Sequence, residues 1–289
     1  MNKVTRYQNA ALQYYMEITG SQYLHYGYWE PIPTSFDDLT ILGLRKAQES
    51  YAYHLLAFIP EGVHTILDVG CGIGGNAAYL LKQGFKVEGL APDPSQQEGF
   101  LTRTGGEAPF HMSTFEKFVE TSHAKNPSPA YDLLLFSESS QYMSAKDIAE
   151  GAAHLAVKGG YVLLADMLRT NAEYREGMFS NCHVVADLKA AMERAGFKLV
   201  KSEDISAHIA PTIDICVHNF QIFGLSTIHY LSNLVQIAVP PIYALIDRLF
   251  GDRFKKLVAE GEAASSLFKQ HLCYEIQLWQ LADPASVKV

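Results

Sequence analysis

The sequence predicts an α/β protein built on a doubly wound, mostly parallel sheet, and two observations carry that expectation. From Thr65 to Asp204, short apolar runs alternate with stretches of helical spacing, the one-dimensional signature of parallel strands joined by crossover helices. The first run, Thr65–Val69, ends in the closely spaced glycines Gly70, Gly72, Gly74 and Gly75, and helix-forming residues follow to Lys82. Strand, tight turn and helix in that order bring backbone close to a ligand. Glycine suits such a turn because no Cβ intrudes and positive φ carries no penalty.

Each element can be justified in turn. Residues 39–58 place Leu42, Leu44, Tyr51, Leu55 and Leu56 at helical intervals, so residues 1–60 are expected to form an N-terminal helical and aromatic cover. Thr65–Val69 and residues 86–90, 131–136 and 161–165 read as strands; Gly75–Lys82, Pro94–Arg103, Ala145–Leu155 and residues 183–195 read as helices, the last stopped by Gly196. Residues 198–204 form a further strand and Leu272–Leu281 the final one. Between them, residues 213–250 are long, apolar and helical, broken at Pro240-Pro241. The expected organisation is a core over 61–212 and 270–283 with a helical cap at 213–269.

Composition narrows the function. With 48% hydrophobic residues in 289, the chain can bury a large core. Its 23 Lys and Arg against 31 Asp and Glu give a charge of −8, and no basic run follows a phosphate backbone, which argues against nucleic acid as a partner. Cys71, Cys182, Cys216 and Cys273 are scattered without zinc-ligand spacing. That pattern, and a start lacking the apolar stretch of a signal peptide, lead us to expect a reduced, cytoplasmic setting. The cap is no membrane span, since His218, Asn219, Gln221, His229, Asn233 and Gln236 interrupt it.

Gly70-x-Gly72-x-x-Gly75 permits two ligands, a dinucleotide pyrophosphate or a cationic nucleoside. Asp68, just before the glycines, would repel the first and attract an ammonium and sulfonium. Residues 67–74, Leu-Asp-Val-Gly-Cys-Gly-Ile-Gly, closely resemble motif I of the class I S-adenosylmethionine-dependent methyltransferases. The resemblance implies a seven-stranded Rossmann-like sheet whose last strand lies antiparallel at the sheet edge. It also implies S-adenosyl-L-methionine as cofactor, held by Asp68, Gly70, Cys71, Gly72 and Gly74.

Further motifs extend the resemblance over roughly Val63 to Val200. Family members often carry an acid for the ribose hydroxyls where this chain has Ala91; Asp93 either substitutes for it or caps the helix that starts at Pro94. Pro94-x-Gln96 resembles a pattern of methyltransferases acting on sterols, tocopherols and fatty acyl chains. Ser113, Thr114 and Phe115 stand where the family contacts adenine, although Phe115 also reads as ordinary core. Ser137-Glu138-Ser139-Ser140-Gln141-Tyr142 resembles a Glu-Ser-x-x-His stretch of small-molecule methyltransferases, with Gln141 in place of the histidine. Glutamine cannot act as a general base. Tyr26 and Trp29, in the aromatic segment 23–29, are expected either to close over the site or to anchor the N-terminal cover.

Methyl transfer from a sulfonium asks the protein to align and dry the reacting pair, without a metal or covalent nucleophile. An acceptor hydroxyl would need a base, for which His25, His111, His208 and His218 are available. Methylating an alkene instead creates a carbocation, which a carboxylate and aromatic faces stabilise. We therefore expect a small, largely apolar, isoprenoid-like acceptor, terpenoid or prenyl diphosphate, C-methylated with the help of Glu138, Gln141 and Tyr26 and open to coupled cyclisation. Arg169, Arg175, Arg248 or Arg253 would meet a diphosphate. The alternatives are O- or N-methylation of an aromatic or quinone-like metabolite, a cyclase that binds the cofactor without methylating, and a scaffold descended from the family. For the cap, the expectations are an acceptor pocket, a homodimer face or an interfacial membrane contact, in that order.

Overall fold

The computed structural model describes residues 19–123, 130–175, 177 and 179–282; the part of the N-terminal cover expected before residue 19 lies outside them. Seven strands, β1 (Thr65–Val69), β2 (Lys86–Ala91), β3 (Phe110–Met112), β4 (Tyr131–Ser137), β5 (Ala156–Arg169), β6 (Phe197–Asp204) and β7 (Leu272–Leu281), form one sheet in the order β3-β2-β1-β4-β5-β7-β6. β1 to β5 pair in parallel, and β7 runs antiparallel to both β5 and β6.

The sheet is wound on both faces. Successive strand residues point to opposite sides, so Ile66, Leu133 and Leu163 join one core and Leu67, Leu134 and Val162 the other. α1 (Ile41–Leu56), α2 (Gly75–Lys82) and α3 (Pro94–Arg103) cover the first through Tyr51, Leu80 and Phe100. α4 (Phe115–Ser122), α5 (Ala145–Leu155) and α6 (Val185–Arg194) cover the second through Phe118, Ile148 and Leu188. Burial on both faces explains the continuous apolar runs of the central strands; each such side chain contributes about 1.5–3 kcal/mol. Side-chain oxygens of Thr40, Asp93, Thr114 and Ser144 cap α1, α3, α4 and α5. α4 itself was not expected from the sequence.

The last strand departs from expectation. β7 does not lie at the edge; it is inserted between β5 and β6. Tyr274 and Ile276 are buried in one core and Trp279 in the other, so β7 needs neighbours on both sides. β6 carries Lys198, Lys201, Glu203 and Asp204 on a mostly exposed strand, the charged composition that blunts an edge.

The helical region begins at Ser206. α7 (Ser206–Asn219) buries Ile209 and Ile213 against the sheet, and α10 (Ala264–His271) buries Phe268 there. Between them a π-helical turn (Phe220–Leu225), α8 (Ser226–Ala238) and α9 (Pro240–Glu262) form a helical excursion in which no described side chain is buried. Among the described residues, no helix is long and apolar enough to cross a membrane.

A candidate cofactor cleft at the carboxyl edge of the sheet

A cavity of about 590 Å³ opens at the carboxyl ends of β1 to β4, within the range of small-molecule sites and where open α/β sheets bind ligands. Its floor is the glycine turn. Gly70, Gly72 and Gly74 have φ of 77°, 52° and 85°, values that favour glycine. A Cβ on Gly70 would lie 2.3 Å from Ser139 Cβ, and one on Gly75 would lie 2.6 Å from the Gln22 carbonyl oxygen. The turn is thus gripped from two sides. Residues 22–25 form part of the cleft wall.

Charge separates the two ligands that the turn permits. Asp93, Glu116 and Glu138 line the cleft, and among the described residues no Lys or Arg does. A pyrophosphate would find no cation there, whereas a cationic nucleoside would be attracted. Asn76 stands in the cleft wall with its side chain turned to His25, and Oδ2 of Asp68, near the end of β1 before the glycines, is buried and accepts no hydrogen bond. A buried carboxylate oxygen awaiting a donor fits an α-ammonium group. Burial pushes Asp68 up to about 7, so a nearby cation would favour its ionised form. The site therefore fits the sulfonium nucleoside expected from the sequence.

Opposite the glycine turn stands Glu138. It follows β4 with φ of 54°, the one positive value outside glycine among the described residues and a mark of a functionally constrained turn. The turn is clamped to its neighbours: Ser139 Oγ donates to the Val69 carbonyl at 2.5 Å, and Ser140 N and Oγ donate to Asp166 Oδ2 at 2.9 and 2.6 Å. Glu138 Oε1 accepts from the Tyr26 backbone N–H at 2.7 Å and from the Tyr274 hydroxyl at 2.9 Å. Tyr274 also meets the Tyr51 hydroxyl at 2.8 Å, which lies 3.2 Å from Ser137 Oγ. Burial, opposed by the Tyr26 N–H, raised further by Asp166 and opposed again by the Tyr274 hydroxyl, pushes Glu138 up to about 8.

The expected residues divide cleanly. Gly70, Cys71, Gly72, Asp93, Gln96, Ser113, Thr114, Phe115, Ser137, Glu138 and Gln141 all line the cleft. Asp93 caps α3, its Oδ1 accepting from Ser95 N at 2.9 Å, and also lines the cavity. Phe115 is likewise both wall and core, edge-on to Phe136.

Other expectations are corrected. Gly74 is off the cleft: a Cβ there would meet Phe100 at 3.0 Å, so helix packing requires that glycine. Pro94 is the first residue of α3 and does not line the cavity. Tyr26 reaches the site through its backbone, its ring packing edge-on against Tyr274. Trp29 is an anchor: its Nε1 donates to Thr212 Oγ1 at 2.9 Å, away from the cleft. Among the described residues, the apolar cap side chains do not line the cleft; Phe223, Tyr230 and Ile237 are exposed, since α8 and α9 do not pack on the sheet.

The candidate bases and cations fall mostly outside. His111, His208 and His218 do not line the cleft. His25 does, with Nδ1 donating to the Tyr26 carbonyl at 2.8 Å, and burial, opposed by that bond, holds it down to about 4. Arg169 is committed to the carbonyls of Cys182 and Tyr174 at 2.6 and 2.7 Å, and Arg175, Arg248 and Arg253 also stand off the cleft. The reading missed Tyr51, Asp166 and Tyr274. Asp166 had a visible signal, a lone acid in an otherwise apolar strand.

A second depression of about 570 Å³ lies at the opposite, amino ends of β1, β2 and β4. Its Glu88 is already held by His111 and Tyr131 at 2.6 and 2.8 Å.

Comparison with known proteins agrees with this geometry. A family model described as a methyltransferase domain matches residues 44–202. Methyltransferase GfsG of Streptomyces halstedii is 27% identical over 202 residues, covering 65% of this chain and 70% of that protein. The S-adenosyl-L-methionine-dependent Diels-Alderase iccD of Talaromyces variabilis is 26% identical over 229 residues, covering 71% and 75% respectively. In fold, the chain is similar to geranyl diphosphate C-methyltransferase from Streptomyces coelicolor A3(2), solved with S-adenosyl-L-homocysteine, at a TM-score of 0.63 and 14% identity over 89% of this chain and 87% of that one. Matched across more than half of its 289 residues, by a segment that holds the glycine turn and Glu138, the chain belongs to the methyltransferase domain family.

Proposed function

We propose that this methyltransferase takes its methyl group from S-adenosyl-L-methionine and delivers it to a small, neutral, largely apolar acceptor, a carbon–carbon double bond of isoprenoid type. The observation that carries the reading is Glu138, a buried carboxyl raised to about 8 in the cleft wall, with Gln141 where a histidine base would otherwise stand. A neutral acceptor is preferred to the diphosphate considered from the sequence, because among the described residues no Lys or Arg lines the cleft.

When bound, the cofactor supplies an electrophilic methyl on a cationic sulfur. Asp68 would take its ammonium, the turn at Gly72 its carboxylate, Asp93 and Gln96 its ribose, and Ser113, Thr114 and Phe115 its adenine, with Ser137 beside Glu138. The positive charge draws Glu138 towards its ionised form. As the new carbon–carbon bond forms and the carbon–sulfur bond breaks, the neighbouring acceptor carbon becomes cationic. Glu138 steadies that charge and then accepts the proton lost from the adjacent carbon, restoring a double bond. Tyr274 and the Tyr26 N–H fix one carboxylate oxygen, which sets the direction of the other.

A second reading, cyclisation with the cofactor retained as support, is favoured by the similarity to iccD. Incubation with methyl-labelled cofactor and a panel of terpenoid alkenes, phenols and quinols tests both. Label on carbon supports the proposal, label on oxygen or nitrogen overturns the alkene acceptor, and a cyclised product without label favours the second reading.

A further inference from the structure

The α8–α9 hairpin exposes apolar side chains that nothing among the described residues covers. Residues 215–246 contain no Asp, Glu, Lys or Arg. Ile237 is 79% exposed and Ile242 51%, on either side of the Pro240-Pro241 turn that forms the tip. Along α9, Ile242, Leu245, Ile246, Leu249, Phe250 and Phe254 are all exposed. At about 100° per residue they fall within roughly half of the helix circumference. Arg248 and Lys255 lie on the opposite half, whereas Arg253 and Lys256 share the apolar half but sit further from the tip, towards the body of the protein.

From this arrangement we infer that the hairpin is an interfacial anchor that seats the enzyme on an anionic lipid surface. Depth supports it: at 1.5 Å per residue the first cation, Arg248, stands about 12 Å from Pro240 along the helix. A tip entering end-on by about 5–10 Å, the depth of interfacial burial, would leave the Lys and Arg of α9 at headgroup level. Charge supports it too. The chain as a whole is at −8, which an anionic surface repels, yet residues 247–256 hold four cations, Arg248, Arg253, Lys255 and Lys256, against Asp247 and Asp252. Lys255 stands 3.8 Å from Asp252, an exposed pair that high dielectric weakens. A second copy of the chain is the poorer occupant. A dimer seam covers one stripe of a helix, whereas here the apolar surface runs up both helices and around the tip.

Vesicle co-sedimentation of the full chain tests the inference independently of the acceptor. The expected result is binding to phosphatidylcholine vesicles that contain phosphatidylglycerol, weakened by salt and by Arg253→Glu with Lys256→Glu. Ile237→Asp with Ile242→Asp should lower partitioning by about tenfold or more per isoleucine. Both isoleucines are exposed, and cofactor calorimetry checks that the variants stay folded. No sedimentation, equal binding to vesicles of phosphatidylcholine alone, or sedimentation unmoved by the tip variant would overturn the inference. So would a dimer in ultracentrifugation that the tip variant dissociates while vesicles bind nothing.

Discussion

Replacing Glu138 by glutamine probes the centre of the site, and folding stability against pH is the readout. Burial, with the smaller influences around it, pushes this carboxyl from 4.5 to about 8. The folded chain therefore keeps a proton that the unfolded chain has released across that interval. A raised value of this kind gives stability that is complete below the unfolded pKa and is lost as pH rises through the folded one. Inside the window one proton is worth about 1.4 kcal/mol per pH unit, a slope that does not depend on where the upper limit falls. Asp68, pushed up to about 7 by burial, adds the same kind of slope to both proteins and cancels in their difference. Urea unfolding of wild type and Glu138→Gln between about pH 5 and pH 8 should show the variant gaining about 1.4 kcal/mol per pH unit relative to wild type, levelling above the window. A flat difference would mean that Glu138 titrates in the ordinary carboxylate range, and the argument from burial would fail.

The remaining expectations concern ligands and turnover. Tyr274→Phe removes a hydroxyl that donates to Glu138 at 2.9 Å, so the pH midpoint of methyl transfer should move upward by about one unit, with the cofactor's KM little changed; an unmoved profile would refute the positioning role. Cofactor binding should release protons and strengthen as pH rises through about 6 to 8, more for the cationic sulfonium than for its neutral thioether product, because a positive charge favours the ionised forms of Asp68 and Glu138. Calorimetry in buffers of unlike protonation enthalpy measures that release, and its absence would place both carboxyls away from the cation. Gly70→Ala, with a Cβ 2.3 Å from Ser139 Cβ at a φ of 77°, should cost about 1–3 kcal/mol of stability and abolish measurable cofactor binding; an unaffected calorimetric titration would show the turn to be slack.

Local features of the fold were legible in the sequence, and distant ones were not. Thr65–Lys82 announces strand, turn and helix because each part has its own residue chemistry within a few positions. Glu138 is similarly visible, as a polar cluster just past an apolar strand. Its partners are hidden: the Tyr274 hydroxyl is 136 residues away, and Tyr51 is 86 residues from Ser137, so no spacing rule connects them. Gly70 and Gly74 look alike in the chain, yet Ser139 crowds one and Phe100 the other, a distinction that only packing makes. The place of β7 was misjudged because an apolar strand declares that it wants cover, not which strands provide it. The role of the cap is hidden for the same reason, since helical periodicity reveals apolar faces and says nothing about what meets them.

The insertion of β7 between β5 and β6 has a consequence for how the molecule comes into being. β6 touches no strand but β7 among the described residues, and β7 is translated more than sixty positions later. A nascent chain on the ribosome therefore holds β6 in waiting, its backbone ladder unmade, until residues 272–281 leave the exit tunnel. The same late segment delivers the Tyr274 hydroxyl to Glu138, so closing the sheet and completing the hydrogen bonds of that carboxyl are one event.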